Sequence, residues 1–157
     1  MKIAIPLFAI ALVVIGVGVS WKLIENKRQP LIPNTVNIDN GQRKDELIRL
    51  EYPQPNQLIS SPLTIKGEAR GNWFFEASFP VVLTDWDGLI IANGIATAKG
   101  DWMTNDFVPF EATLEFALNK EAYSNRGSLI LKKENPSGLP ENDDALEIPV
   151  SLSPNSD

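Results

Sequence analysis

Val108, Phe110, Ala112, Leu114 and Phe116 stand at every second position, with Glu111, Thr113 and Glu115 between them. On a helix those five apolar side chains would scatter around the whole circumference. On an extended chain they share one face, and the polar residues share the other. A chain patterned this way must bury one side of a sheet. The same texture recurs from Glu46 onward as short apolar runs divided by turn residues, the pattern of an all-β sandwich or barrel.

The runs are readable one by one. Ile48–Tyr52 alternates and stops at Pro53. In Leu63–Ala69, residues Leu63, Ile65, Gly67 and Ala69 lie on one face, with Thr64, Lys66 and Glu68 opposite. Trp73–Thr84 is strongly apolar, and Pro80 within it predicts a bulge or an edge position. Asp87-Gly88 predicts a tight hairpin between Val81–Trp86 and Leu89–Ala98. Val108–Phe116, Ser128–Lys133 and Ala145–Val150 complete the set. These strands, joined by hairpin-length connections, predict antiparallel pairing.

With no cysteine and no histidine, the chain excludes disulfides, thiolate nucleophiles and imidazole zinc ligands. The fold must rest on its apolar core. The net charge is −6, and Lys2 and Lys22 flank the apolar N-terminus, so the remainder is more acidic still. That sign excludes the basic footprint of a nucleic-acid binder.

Residues 3–21 carry no charge and are dominated by Ile, Val, Ala and Leu. As a helix they reach about 28 Å, close to the ~30 Å of a bilayer core. Trp21 and Lys22 follow as an interfacial aromatic and a snorkelling cation. Residues 1–24 are expected to be a transmembrane anchor. The rival is a signal peptide cleaved after Gly18-Val19-Ser20, whose apolar core would be unusually long. Residues 25–45 are polar, with Pro30, Pro33 and Gly41, and are expected to be a flexible linker reaching roughly 25 Å. A folded domain is expected over 46–152 and a disordered tail over 153–157.

Candidate contact residues cluster at turns. Trp73 opens an aromatic run and is expected in the core. Trp86 sits beside Asp87-Gly88 and Trp102 follows Gly100-Asp101, and loop indoles either stack on sugars and protein surfaces or cap a sandwich end. Asp85, Asp87 and Asp101 accompany them. Asp85-Trp86-Asp87-Gly88 has the opening of a calcium loop, but the later oxygen ligands are missing, so no metal or cofactor is expected. Glu76 amid Phe74, Phe75 and Phe79 is the sharpest acid for a hydrolase, which would need a second carboxylate across a cleft. The plain alternative points Glu76 outward, or pairs it with Arg70 or Lys66.

Three segments carry a resemblance: Gly71-Asn72-Trp73-Phe74-Phe75-Glu76-Ala77-Ser78-Phe79-Pro80, Gly100-Asp101-Trp102-Met103, and Asn135-Pro136-Ser137-Gly138-Leu139-Pro140-Glu141-Asn142-Asp143. Together they resemble the immunoglobulin-like domain of bacterial spore germination, the second of the germination-module-associated domains. The resemblance implies an immunoglobulin-like antiparallel sandwich of about seven strands, preceded here by the transmembrane helix. It implies a non-catalytic module at the cell envelope whose partner is an envelope protein or cell-wall glycan. The positive-inside tendency of Lys22, Lys27 and Arg28 favours a cytoplasmic domain; the resemblance implies the outside, and that is the expectation. No counterpart of the family's companion germination-protein-M domain is read here. The implied role is therefore that of an envelope module rather than a spore protein.

Overall fold

The computed structural model describes residues 38–39, 42–118 and 121–154. The expected membrane helix over 3–21 and most of the linker lie outside them. Among the described residues, no helix is long and apolar enough to cross a membrane.

Among the described residues, ten strands follow in chain order, with three single 3-10 turns. A two-residue ladder joins β1 (Ile38–Asp39) to β2 (Gln42–Arg43), and the turn Lys44–Glu46 follows. Then come β3 (Ile48–Tyr52), β4 (Leu58–Ile59), β5 (Leu63–Arg70), a turn at Gly71–Trp73, β6 (Ser78–Asp85) and β7 (Ile90–Ala98). β8 (Phe107–Leu114), β9 (Arg126–Lys132), a turn at Pro140–Asn142 and β10 (Ala145–Leu152) complete the chain. The β1–β2 ladder lies within residues 25–45.

Eight strands form one sheet, in the order β3-β5-β8-β7-β6-β9-β10-β4. All neighbours are antiparallel except β4 and β10, which pair in parallel through Leu58 and Ile59. The junction of β7 with β8 is narrow, only Thr97 with Glu111 and Ala98 with Phe110. By contrast β5 and β8 match along their whole length, from Leu63–Leu114 to Arg70–Phe107. The sheet therefore divides into two wings, β3-β5-β8 and β7-β6-β9-β10-β4, sharing one core. The fold is thus all-β, a curled sheet of eight strands, one more than the pattern showed. Leu58–Ile59 is too short to alternate.

The inward faces are the ones alternation assigned. Leu63, Ile65 and Ala69 are buried, as are Val108, Phe110, Ala112, Leu114 and Phe116. Each large aliphatic or aromatic side chain buried this way contributes about 1.5–3 kcal/mol. The wings meet where the rings of Phe79 and Phe110 lie edge to face at 4.9 Å, with Phe74 at 5.2 Å from Phe79. Gly67 leaves the space that the Phe110 ring occupies.

Two expectations are corrected. Strand β6 starts at Ser78, not at Trp73, because Phe75 and Ser78 close a two-residue turn through reciprocal backbone hydrogen bonds. Glu76 and Ala77 form that turn with φ of +50° and +60°. Pro80 is in an interior strand rather than at an edge or bulge. It is accommodated because the β6–β9 ladder begins one residue later, at Val81–Leu131.

Candidate functional site

The turns and loops gather at two ends of the sheet, and strand β7 measures the distance between them. Its nine residues run from the β6–β7 hairpin to the loop that bears Trp102, about 26 Å at ~3.3 Å per residue. The five expected contact residues therefore divide. Asp85, Trp86 and Asp87 lie at the hairpin end, and Asp101 and Trp102 at the other. The two indoles form no common platform.

At the hairpin end, Asp85 builds the turn. Its Oδ1 accepts the N–H groups of Asp87 at 3.0 Å and Leu89 at 2.9 Å, while Gly88 supplies a φ of +82°. A carboxylate oxygen committed to two backbone donors is a turn cap, which accounts for the Asp-X-Asp-Gly spelling without a cation. The cap fixes Trp86, which is 46% exposed and lies 5.5 Å from the ring of Tyr123, itself 89% exposed. Leu89 and Ile90 are exposed on the same hairpin. Tyr123 is an exposed neighbour of Trp86 that sequence reading did not single out, because the loop it belongs to has no periodicity.

The three segments that carried the resemblance meet at the opposite end. A Cβ on Gly71 would collide with the carbonyl oxygens of Trp102 and Thr104, so only glycine lets the Gly71–Trp73 turn pack against the 99–106 loop. The Glu134 N–H donates to the Trp73 carbonyl at 3.1 Å, bringing in the loop after β9. Beneath them Trp73 is buried, as expected, with no hydrogen-bond partner for its Nε1 among the described residues. Lys44 sits 5.9 Å from the Trp73 ring centroid and ion-pairs with Asp144. A buried cation on the face of an indole is stabilised by its carboxylate and by the ring quadrupole. No sequence signal marked this pair, since Lys44 lies in a polar run.

Both loops here are internally braced. Asp101 Oδ1 accepts the Met103 N–H at 3.1 Å, so Asp101, like Asp85, organises its own turn. Trp102 is half-buried and packs against the core. In the 135–143 loop, Asn135 Nδ2 donates to the Leu139 carbonyl at 2.9 Å and to Asp143 Oδ1 at 2.7 Å, and Asn142 Nδ2 donates to Ser137 Oγ at 3.0 Å. Its polar side chains satisfy one another. Nearby, the guanidinium groups of Arg49 and Arg70 each lie 4.0 Å from the Phe107 ring. They donate to the Asp45 and Glu46 carbonyls, clamping the Lys44–Glu46 turn to the sheet.

Glu76 is exposed in the αL turn, outside any apolar strand, and makes no ion pair with Arg70 or Lys66. A groove of about 250 Å³ lies between β3, β5 and β8, lined by Arg49, Leu50, Glu51, Gly67, Glu68 and Pro109. Arg49 and Glu68 within it are bound to each other at 2.9 Å.

The sequence matches the family model described as the immunoglobulin-like domain of bacterial spore germination over residues 47–138, more than half of the chain. Neither a curated protein nor a solved structure matches it significantly.

Proposed function

This chain belongs to the family of immunoglobulin-like domains of bacterial spore germination, and from that membership we infer a non-catalytic recognition or scaffolding module of the cell envelope. Residues 3–21 hold it in the membrane, with the domain on the outer side, and it engages a protein partner. The observation that carries this reading is the exposed cluster of Trp86, Tyr123, Leu89 and Ile90 on a hairpin locked by Asp85. Solvent-exposed indole and phenol rings on a rigid turn are the side chains most often dominant in binding energy.

Tethering raises the effective concentration of the hairpin for neighbouring partners. Asp85 Oδ1 and Asp101 Oδ1 each cap their own turn, which supports a structural role for these two carboxylates.

The test uses the full chain and a Trp86→Ala/Tyr123→Ala variant of equal melting temperature. A photo-reactive residue in place of Leu89 is expected to cross-link a membrane-associated protein in intact cells, and the variant to lose the product. Co-sedimentation with purified cell-wall sacculi, lost in the variant, would instead make the aromatic pair a glycan platform. Absence of both would overturn the hairpin as the binding surface.

A further inference from the structure

Each of the three loops at the Trp73 end leaves one large apolar side chain in solvent. Phe75 projects from the αL turn, Met103 from the 99–106 loop and Leu139 from the 135–143 loop, with Met103 78% exposed. Exposed apolar groups on frayed loops would mean little. These are on backbones fixed by the Gly71 packing, the Asp101 turn and the Asn135 network. Rigid presentation lowers the ordering cost of a contact.

The charges at this end are unbalanced. Glu76, Asp101, Asp106 and Glu141 are exposed and make no ion pair among the described residues. Several neighbouring cations are engaged within the domain, while Lys132 is exposed at the end of β9. Arg43 pairs with Asp45 and Glu46, Lys44 with Asp144 and Lys99 with Glu111. Arg70 donates to the Glu46 and Asn105 carbonyls, and Lys133 to that of Asn142. The surface therefore presents apolar prongs beside four exposed carboxylates that make no ion pair among the described residues.

We propose that this end is a second docking surface, independent of the Trp86 hairpin, and that its occupant is a basic segment of a partner protein carrying apolar side chains between its lysines or arginines. Apolar prongs supply the contact area, and the carboxylates select the sign of the partner and speed its approach. With a surface at each end, the module joins two partners about 26 Å apart along the strands.

The chain contains two methionines, Met1 and Met103, so methyl-13C-methionine labelling places one NMR reporter on this surface without mutation. The full chain in detergent micelles is titrated with the pentapeptide Lys-Leu-Lys-Tyr-Lys and with its glutamate counterpart, Glu-Leu-Glu-Tyr-Glu. A Met103→Leu variant assigns the signal. The lysine peptide is expected to shift the Met103 methyl saturably, with affinity falling about tenfold between ~50 and ~500 mM salt. The glutamate peptide is expected to leave it in place. The neutralised variant Glu76→Gln/Asp101→Asn/Asp106→Asn/Glu141→Gln is expected to lose the response, and Trp86→Ala to keep it. A Met103 signal that ignores the lysine peptide, or follows both peptides alike, overturns the proposal whether or not the neutralised variant folds. A response abolished by Trp86→Ala would also overturn it, by placing the peptide at the hairpin.

Discussion

Lys44 and Asp144 are separated by 100 positions in the chain and form a partly buried ion pair on the face of Trp73. The pair joins the segment leading into β3 to the segment leading into β10. Removing one partner takes away the charge that the other is placed to meet in this partly buried site, at a cost of about 3 kcal/mol. Lys44→Ala and Asp144→Ala are each expected to lower stability by that amount in urea unfolding. The double variant Lys44→Met/Asp144→Asn is expected to recover most of the loss, because it removes both charges and nearly keeps the volume.

Glu76 and Ala77 occupy a two-residue turn in the left-handed region, where glycine and asparagine are usual. An alanine there costs about 1–2 kcal/mol relative to an unstrained backbone, partly offset in glycine by its greater freedom when unfolded. Ala77→Gly is therefore expected to stabilise the domain by about 0.5–1 kcal/mol. In a domain of this size that raises the melting temperature by roughly 2–8 °C, readable by circular dichroism.

Gly71 and Gly100 make a matched pair of substitutions. A Cβ at Gly71 meets two backbone carbonyls, whereas a Cβ at Gly100 meets open space. Gly71→Ala is expected to destabilise by about 2–4 kcal/mol, as overpacking against backbone does. Gly100→Ala is expected to stay within about 0.5 kcal/mol of the parent. Thermal melts of the two proteins side by side decide it.

Asp85 serves its turn as a hydrogen-bond acceptor. Asp85→Asn retains a side-chain oxygen and is expected to melt with the parent, while Asp85→Ala is expected to lose about 1–2 kcal/mol. Millimolar calcium is expected to leave the melting temperature unchanged. A calcium-dependent rise in the parent that Asp85→Asn abolishes would make the carboxylate a ligand.

Alternation made most of the core legible, because a half-buried strand leaves a period of two that no other element shares. Val108–Phe116 and Leu63–Ala69 are buried on the faces that their spelling assigns. The start of β6 was hidden for the opposite reason. Trp73-Phe74-Phe75 is an unbroken apolar run, and Glu76-Ala77 contains none of the residues that announce a turn. The strain at Ala77 replaces the usual signal. Lys44 was illegible because its burial depends on a partner at the far end of the chain, and local polarity argues for solvent.

The positions of the expected contact residues at turns were legible, but not their division between two ends. Tryptophan and aspartate beside glycine marked the turns correctly at 85–88 and 100–103. What the spelling lacked was that β7 runs between them, so residues sixteen apart in number lie at opposite ends. Asp85 and Asp101 are also explained by backbone donors two to four residues onward, which a reading of charge alone overlooks.

The chain enters the sheet beside Trp73 and completes β10 at Leu152, whose N–H bonds the Asn125 carbonyl at the hairpin end. A mechanical load applied between those two points pulls along the strands instead of peeling them apart. The seven residue pairs joining β9 to β10, from Ala145–Lys132 to Ser151–Arg126, are then strained together in shear. Under tension the resistance lies in the rate of forced unfolding, and this connectivity spreads the force over a whole ladder instead of one bond at a time.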